Sequence, residues 1–196
     1  MAFLILNAIS LKTPDLAHTL VSDLTISFGS ERTGLVGRNG CGKSSLLAVM
    51  AGRKPAGAGS VHASGSIGFF RQSFDDLTAP IIHALGVQDP FDTVARVVSG
   101  NGTEDDFAAA DWTLESRIES TLAQVGLPEL APRTPLSRLS GGQRMRVSIA
   151  RTLIEDADLL LLDEPTNNLD AAGRRMISEL VASWRGGVVV AGHDRA

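Results

Sequence analysis

The sequence contains a single cysteine and no tyrosine, and aromatic residues make up only 5% of its 196 residues. One cysteine excludes an internal disulfide and a cysteine-rich metal site. No stretch approaches the ~20 apolar residues that span a bilayer, and the apolar run Phe3 to Leu6 is too short for a signal peptide. The net charge of −4 argues against a chain wholly devoted to gripping phosphate backbones. We therefore expect a cytoplasmic globular protein without membrane insertion of its own.

The order of apolar and helical segments predicts an α/β fold. Short strand-like segments open the chain, residues 54–66 are rich in turn residues, and from Leu139 helices and apolar strands alternate: helix 143–155, strand 159–162, helix 171–184 and strand 188–191. This alternation indicates a largely parallel sheet covered on both faces. The intervening stretch from Ser73 to Arg138 is helical and broken by prolines and glycines. We expect it to form an inserted helical subdomain.

The stretch GRNGCGKSS, Gly37 to Ser45, follows an apolar strand and opens a helix. The pattern G-x-x-x-x-G-K-S in that context is typical of a phosphate-binding loop, whose backbone N–H groups and helix N-terminus surround an anion. Lys43 would reach the β and γ phosphates, and the Ser44 hydroxyl would coordinate Mg²⁺. A glycine-rich turn with an unrelated lysine is the alternative.

The stretch LLLLDEPTNNLD ends a buried strand with two carboxylates. Ligands of open parallel sheets bind at the carboxyl ends of the strands. Asp163 would hold Mg²⁺ through water, and Glu164 would polarise the water that attacks the γ-phosphate. The alternative is that both acids only cap a solvated turn before Pro165.

The stretch LSGGQ, Leu139 to Gln143, begins a further helix with a good N-cap residue, Ser140. Its N-terminus would be a second anion site. A helix cap alone also explains the serine.

These three motifs, together with Gln72 at a strand end and His193 in GHDR, resemble an ATP-binding cassette (ABC) nucleotide-binding domain over nearly the whole chain. The resemblance implies a P-loop fold with an N-terminal antiparallel β portion. It also implies a nucleotide-binding core of residues 1–72 and 139–196 and a helical signature subdomain of residues 73–138. The expected ligands are ATP and Mg²⁺.

The resemblance further implies a head-to-tail pair of cassettes, each completing the other's site. ATP would contact one cassette through Gly37, Asn39, Gly40, Cys41, Gly42, Lys43, Ser44 and Ser45, and the opposite one through Ser140, Gly141, Gly142, Gln143 and Asp170. Gln72 would contact Mg²⁺ and the attacking water, and His193 the γ-phosphate. Ser44, Gln72 and Asp163 are thus the expected metal site, with Glu164, Gln72 and His193 catalytic.

The DEPTNNLD sequence, with Ala110 to Trp112 before the signature, is similar to the ABC-F branch, whose members act on the ribosome and tRNA without a membrane domain. Because the chain ends three residues after His193, it resembles a first cassette without its last helix, linker and partner cassette. The alternatives are the energy-coupling subunit of a membrane transporter and a nucleotide-binding module without turnover. The stretch 14–21 offers only His18 where cassettes stack adenine on an aromatic ring, which predicts modest selectivity for ATP over GTP.

Overall fold

The computed structural model describes residues 2–13, 18–70, 74–167 and 169–192. Its contacts divide the chain into two compact units. One comprises the residues up to Phe70 together with those from Asp156 onward, and the other is Arg71–Glu155. The first unit carries two β-sheets, whereas the second is helical. The predicted α/β fold with an inserted helical part is confirmed.

The first unit contains all the strands of the described chain: β1 (Leu4–Lys12), β2 (Thr19–Phe28), β3 (Arg32–Val36), β4 (Ala58–Ala63), β5 (Ile67–Phe70), β6 (Leu159–Asp163) and β7 (Gly187–Gly192). An antiparallel sheet has the order β2-β1-β4. In β1, Leu4, Leu6, Ile9 and Leu11 are buried. The interval between buried residues lengthens after Leu6, where Ala8 has φ 50° and the pairing with β2 shifts register. This bulge keeps both halves of the strand facing the core.

The second sheet of this unit is parallel, with the order β3-β7-β6-β5. The four leucines of β6 are fully buried, as expected for a strand covered on both faces. Since the strands are parallel, their carboxyl ends meet at one edge. The register places Val36 of β3 opposite Gly192 of β7, and Asp163 of β6 opposite Ala191.

Helix α1 (Lys43–Met50) packs against β1 and against β6 and β7, so it lies between the two sheets. Its Leu46, Leu47, Val49 and Met50 join the buried leucines of β1 and β6 in one core. The helix ends at Met50 with Ala51 as its C-cap, and Gly52 follows with φ 66°, the left-handed conformation that favours glycine.

The other helix of this unit is α7 (Ala171–Ser183), which buries Ile177 and Leu180. Trp184 follows it and is also buried, with its Nε1 donating to the carbonyl of Ala157 at 3.2 Å.

The second unit consists of α2 (Ile81–Ala84), α3 (Gln88–Val98), α4 (Glu104–Ala109), α5 (Leu114–Gln124) and α6 (Gly141–Glu155). An ion pair of 2.5 Å between Arg96 and Asp106 joins α3 to α4. The Arg96 guanidinium and Thr103 hold the pKa of the Asp106 carboxyl at about 2. No helix in the described ranges of the chain is long and apolar enough to cross a membrane.

Within the turn-rich residues 54–66, where the sequence does not indicate a strand, Ala58–Ala63 is the strand β4 and pairs with β1. Its Gly59 has φ 89°, and a Cβ there would lie 2.4 Å from the carbonyl oxygens of Asn7 and Ala8. The glycine therefore allows close approach to the bulge in β1. Glycine in a sequence usually indicates a turn, but Gly59 instead allows two strands to come into contact.

The contacts also place α6 with the helical unit, whereas the sequence assigned residues 139–155 to the nucleotide-binding core. The predicted core of residues 1–72 and 139–196 and the predicted helical subdomain of residues 73–138 are bounded by the motifs in the sequence. That these two parts are functional subdomains stays a prediction.

Candidate functional site

The loop from Gly37 to Gly42 connects the carboxyl end of β3 to the start of α1, as the motif predicted. Gly40 and Gly42 have φ 78° and 103°, so both need the left-handed conformation. At Gly42 a Cβ would also lie 2.9 Å from the Cβ of Leu20. The loop is thus a glycine-dependent turn at a helix N-terminus, where anions are favoured.

Lys43 is buried, with 6% of its surface exposed. Its Nζ donates to the carbonyl oxygens of Gly37 at 2.8 Å and Arg38 at 3.1 Å. A buried ammonium needs such partners because it has lost its hydration. The loop therefore wraps around the amine that the sequence predicts to contact phosphates. Ser44, Asn39 and Cys41 are exposed, and Ser45 is half-buried.

Asp163 ends β6 at the same edge of the sheet from which the loop departs. Because β7 alone separates β6 from β3, the end of β3 lies about two strand spacings, roughly 10 Å, from Asp163. The Oδ1 atom of Asp163 is buried without a hydrogen-bond partner among the described residues. A buried carboxylate oxygen without a donor is costly, and a hydrated cation would supply what it lacks.

The residues at this edge fit Mg²⁺ bound together with a nucleotide. The described residues contain no group of three or more His, Cys, Asp or Glu that could hold a metal alone. Mg²⁺ usually keeps several waters and takes one or two protein ligands besides phosphate oxygens. One hydroxyl, Ser44, and one carboxylate, Asp163, match that pattern.

Glu164 begins the turn after β6 with φ 45°, an uncommon conformation for a residue other than glycine. Its N–H donates to the carbonyl of Ala191 in β7 at 2.9 Å, and its carbonyl accepts the N–H of Asn167 at 3.1 Å. The side-chain amide of Asn167 also donates to Oε2 of Glu164. Both side chains are half-buried and border a cavity of about 770 Å³ between this turn, β7 and α7.

The residues of the LSGGQ stretch, called the signature below, lie at the start of α6 in the helical unit. The N–H of Gln143 donates to Oγ of Ser140 at 3.2 Å, and the N–H of Ser140 donates to Oε1 of Gln143 at 2.9 Å. This reciprocal capping box satisfies two free N–H groups of the helix end. Gly141 and Gly142 are exposed, and a Cβ at either would meet nothing within 4 Å. Packing within the described chain therefore does not require glycine at these two positions.

The remaining predicted site residues lie apart or outside the described chain. Asp170 caps α7, with Oδ1 accepting the N–H of Gly173 at 2.7 Å. Gln72 and His193 lie outside the described residues.

A second cavity, of about 680 Å³, adjoins the phosphate loop at Ser45. It is bordered by the end of β1, including Lys12 and Thr13, and by residues 54–58. The described residues that line it include no aromatic side chain.

The sequence pattern of the ABC transporter family matches residues 22–167. The tylosin resistance ATP-binding protein TlrC of Streptomyces fradiae is 34% identical over 203 residues, covering 88% of this chain and 36% of that protein. The energy-dependent translational throttle protein EttA of Mycobacterium tuberculosis (strain ATCC 25618 / H37Rv) is 33% identical over 200 residues, covering 90% of this chain and 35% of that protein.

A solved structure, the ADP conformation of an ATP-binding cassette of an ABC transporter, has a TM-score of 0.72 at 19% identity and covers 100% of this chain and 83% of that chain. The fold and motifs thus define a P-loop ATPase domain. The chain belongs to the ABC transporter family, as one of its ATP-binding cassettes. It spans about a third of the length of the two curated relatives above.

Sequence reasoning missed one residue of the site, Asn167. Its separation of three residues from Glu164, across Pro165 in a turn, was the available signal, because the first and last residues of a tight turn face each other.

Proposed function

We propose that this chain binds Mg-ATP at the loop Gly37–Ser45 and, once paired with a second cassette, hydrolyses it to ADP and phosphate. The observation that carries the proposal is the placement of Lys43 and of the Asp163 Oδ1 atom, which has no hydrogen-bond partner among the described residues, at one edge of a parallel sheet. A cationic loop facing an acidic strand end suits a metal–triphosphate complex.

Each residue has a distinct part in the proposed reaction. The loop N–H groups and Lys43 hold the phosphates in place, while the Ser44 hydroxyl and the Asp163 carboxylate would hold Mg²⁺. Bound Mg²⁺ would neutralise charge on the phosphate oxygens. Glu164 accepts a proton from the water that attacks the γ-phosphorus, and the bond from that phosphorus to the ADP oxygen breaks. Gln72 and His193 keep the roles that the family resemblance implies, near the metal and the γ-phosphate.

The second cassette supplies the signature residues Ser140 to Gln143 and Asp170 in trans. The exposed glycines of the α6 N-terminus support this part of the proposal, since packing within the chain does not require them. ATP binding closes the pair, and hydrolysis opens it again.

The cavity beside Ser45 is the proposed place of the nucleoside. Because no aromatic side chain is among the described residues that border it, the stacking contribution, roughly 1–3 kcal/mol per base in nucleic-acid systems, would be absent. We expect weak discrimination between ATP and GTP.

For the biological role we favour an ABC-F protein that acts on the ribosome in the cytoplasm. The support is the DEPTNNLD sequence and the two curated relatives, whose names refer to tylosin resistance and to a translational throttle. In ATP-dependent co-sedimentation, the longer protein containing this cassette is expected to pellet with ribosomes. No ribosome binding, together with copurification of a membrane protein, would favour the transporter alternative instead.

The proposed chemistry is tested by Glu164→Gln, with Glu179→Gln, at an exposed residue of α7, as the matched control. The first variant is expected to bind ATP, to lose turnover and, with the partner cassette present, to stay trapped as a closed pair. The control is expected to behave as the wild type. Unchanged hydrolysis in Glu164→Gln would remove Glu164 from its proposed role.

A further inference from the structure

The turn after β6 fixes the Glu164 backbone from two sides. Its N–H is bonded to Ala191 of the neighbouring strand at 2.9 Å, and its carbonyl accepts the N–H of Asn167 at 3.1 Å. Its φ of 45° is held by these bonds, since a residue with a Cβ seldom takes this conformation unaided. The backbone therefore has one defined direction in which the Glu164 side chain leaves the turn.

The backbone alone does not fix the carboxylate, because a glutamate side chain has three rotatable bonds beyond Cα. The amide of Asn167 donates to Oε2 of Glu164 across the same turn. Both groups are half-buried on the wall of the 770 Å³ cavity. A hydrogen bond to a charged acceptor is stronger than one between neutral groups, so this contact selects one orientation of the carboxylate.

We infer that Asn167 is a positioning residue that holds the Glu164 carboxylate in the orientation in which it accepts a proton from the attacking water. This inference rests on the proposed function, in which Glu164 is the general base. Asn167 itself takes no proton and binds no phosphate. Its effect is exerted through Glu164.

The residue type at this position follows from the geometry. Asparagine offers an N–H donor on a short side chain, and its own backbone N–H closes the turn. Aspartate has the same shape and keeps the backbone bond, but at neutral pH its carboxylate can only accept hydrogen bonds. Replacing one with the other therefore turns an attraction to Glu164 into a repulsion without emptying any space.

The test compares Asn167→Asp with Ser178→Asp, an exposed residue of α7 that borders the same cavity. Both variants add one negative charge to the cavity wall, but only the first removes the donor to Glu164. In the protein paired for turnover, we expect Asn167→Asp to lower kcat for ATP at least tenfold. A tenfold loss is smaller than the 10²–10⁴-fold that general-base catalysis typically contributes, because the base is still present but misplaced. The ATP dissociation constant should stay within threefold of the wild type, and Ser178→Asp should stay within threefold in kcat.

A double-mutant cycle separates positioning from general damage to the fold. In the Glu164→Gln background, adding Asn167→Asp should cause less than a twofold further loss of the residual single-turnover rate. An equal loss in both backgrounds, or a kcat of Asn167→Asp within twofold of the wild type, would overturn the inference while leaving the ATPase proposal standing. A wild-type protein without turnover would instead refute the proposed function, and this inference with it.

Discussion

The unpartnered oxygen of Asp163 leads to a prediction about stability. Oδ1 is buried and has no hydrogen-bond donor among the described residues. Leaving a buried polar group unsatisfied costs about 1–3 kcal/mol, and more for a charged one. Asn at this position has nearly the same volume but no charge, which lowers the free-energy cost of burying the side chain. We therefore expect Asp163→Asn to stabilise the protein without nucleotide by about 1 kcal/mol, which is about 2–4 °C in Tm for a domain of this size.

The matched control is Asp158→Asn, just before the same strand. The Asp158 carboxylate accepts the N–H of Ser66 at 2.8 Å and its hydroxyl at 2.9 Å, and these bonds lower its pKa. Neutralising this satisfied carboxylate should lower Tm. The same chemical change at the two ends of β6 is thus expected to act in opposite directions.

The assay is thermal unfolding with EDTA, with ATP and EDTA, and with Mg-ATP. A ligand present at 100 times its Kd stabilises by about 2.7 kcal/mol. The wild type should gain more from Mg-ATP than from ATP without metal, whereas in Asp163→Asn, which keeps Ser44 as a metal ligand, this difference should be smaller. If Asp163→Asn lowered Tm as Asp158→Asn does, or kept the full effect of Mg²⁺, the reasoning about this oxygen would be refuted.

Five further predictions concern the loop, the core, the choice of nucleotide and the helical unit. Gly42→Ala should destabilise the protein by more than ~1 kcal/mol in urea unfolding, because positive φ and contact with Leu20 both oppose a Cβ. Gly40→Ala, with no such contact, should cost less. Leu47→Ala should cost about 2–5 kcal/mol in the same assay, since its side chain is fully buried. Lys43→Ala should weaken ATP binding in calorimetry, and ATP and GTP should compete almost equally for the wild type.

The last prediction concerns the stability of the helical unit at low pH. The folded pKa of Asp106, about 2, lies below its ordinary 3.8, so its stabilising contribution is complete above the ordinary value and is lost as pH falls toward the folded one. In circular dichroism below pH 3.8, Asp106→Asn should therefore remove part of the acid-induced loss of helix.

Each of these predictions has an outcome that would contradict it. Equal losses of unfolding free energy in Gly42→Ala and Gly40→Ala would contradict the role of Leu20. An unchanged midpoint of urea unfolding in Leu47→Ala would contradict the placement of Leu47 in the core. Undiminished ATP binding by Lys43→Ala, or a preference for ATP of a hundredfold or more, would contradict the proposed site. An identical acid transition in Asp106→Asn would show that its ion pair does not hold the two helices together.

The phosphate loop and the acidic strand end could be located from sequence because each is a local pattern. A strand, glycines at positive φ and a helix start occur within about a dozen residues, and the leucines of β6 need only burial to form a strand. The observed bounds of α7, Ala171–Ser183, match the prediction to within one residue at its end.

Features that depend on contacts between distant segments could not be located in this way. Strand β4 has little apolar patterning, and its pairing with β1 brings Gly59 so close to the bulge at Ala8 that a Cβ would not fit. Ser148 of α6 is buried, and its hydroxyl has no partner among the described residues. Burial of that kind depends on which elements pack around a helix, which its own sequence does not specify.

The most direct test of the central claim is a crystal structure of this protein with Mg²⁺ and a non-hydrolysable ATP analogue. In that structure we expect the loop N–H groups and Lys43 to hold the phosphates. We also expect a metal ion about 2.0–2.1 Å from Oγ of Ser44, with one water between that ion and the Asp163 carboxylate. Phosphates bound elsewhere, or an Asp163 carboxylate beyond the reach of a water bound to the metal, would contradict it.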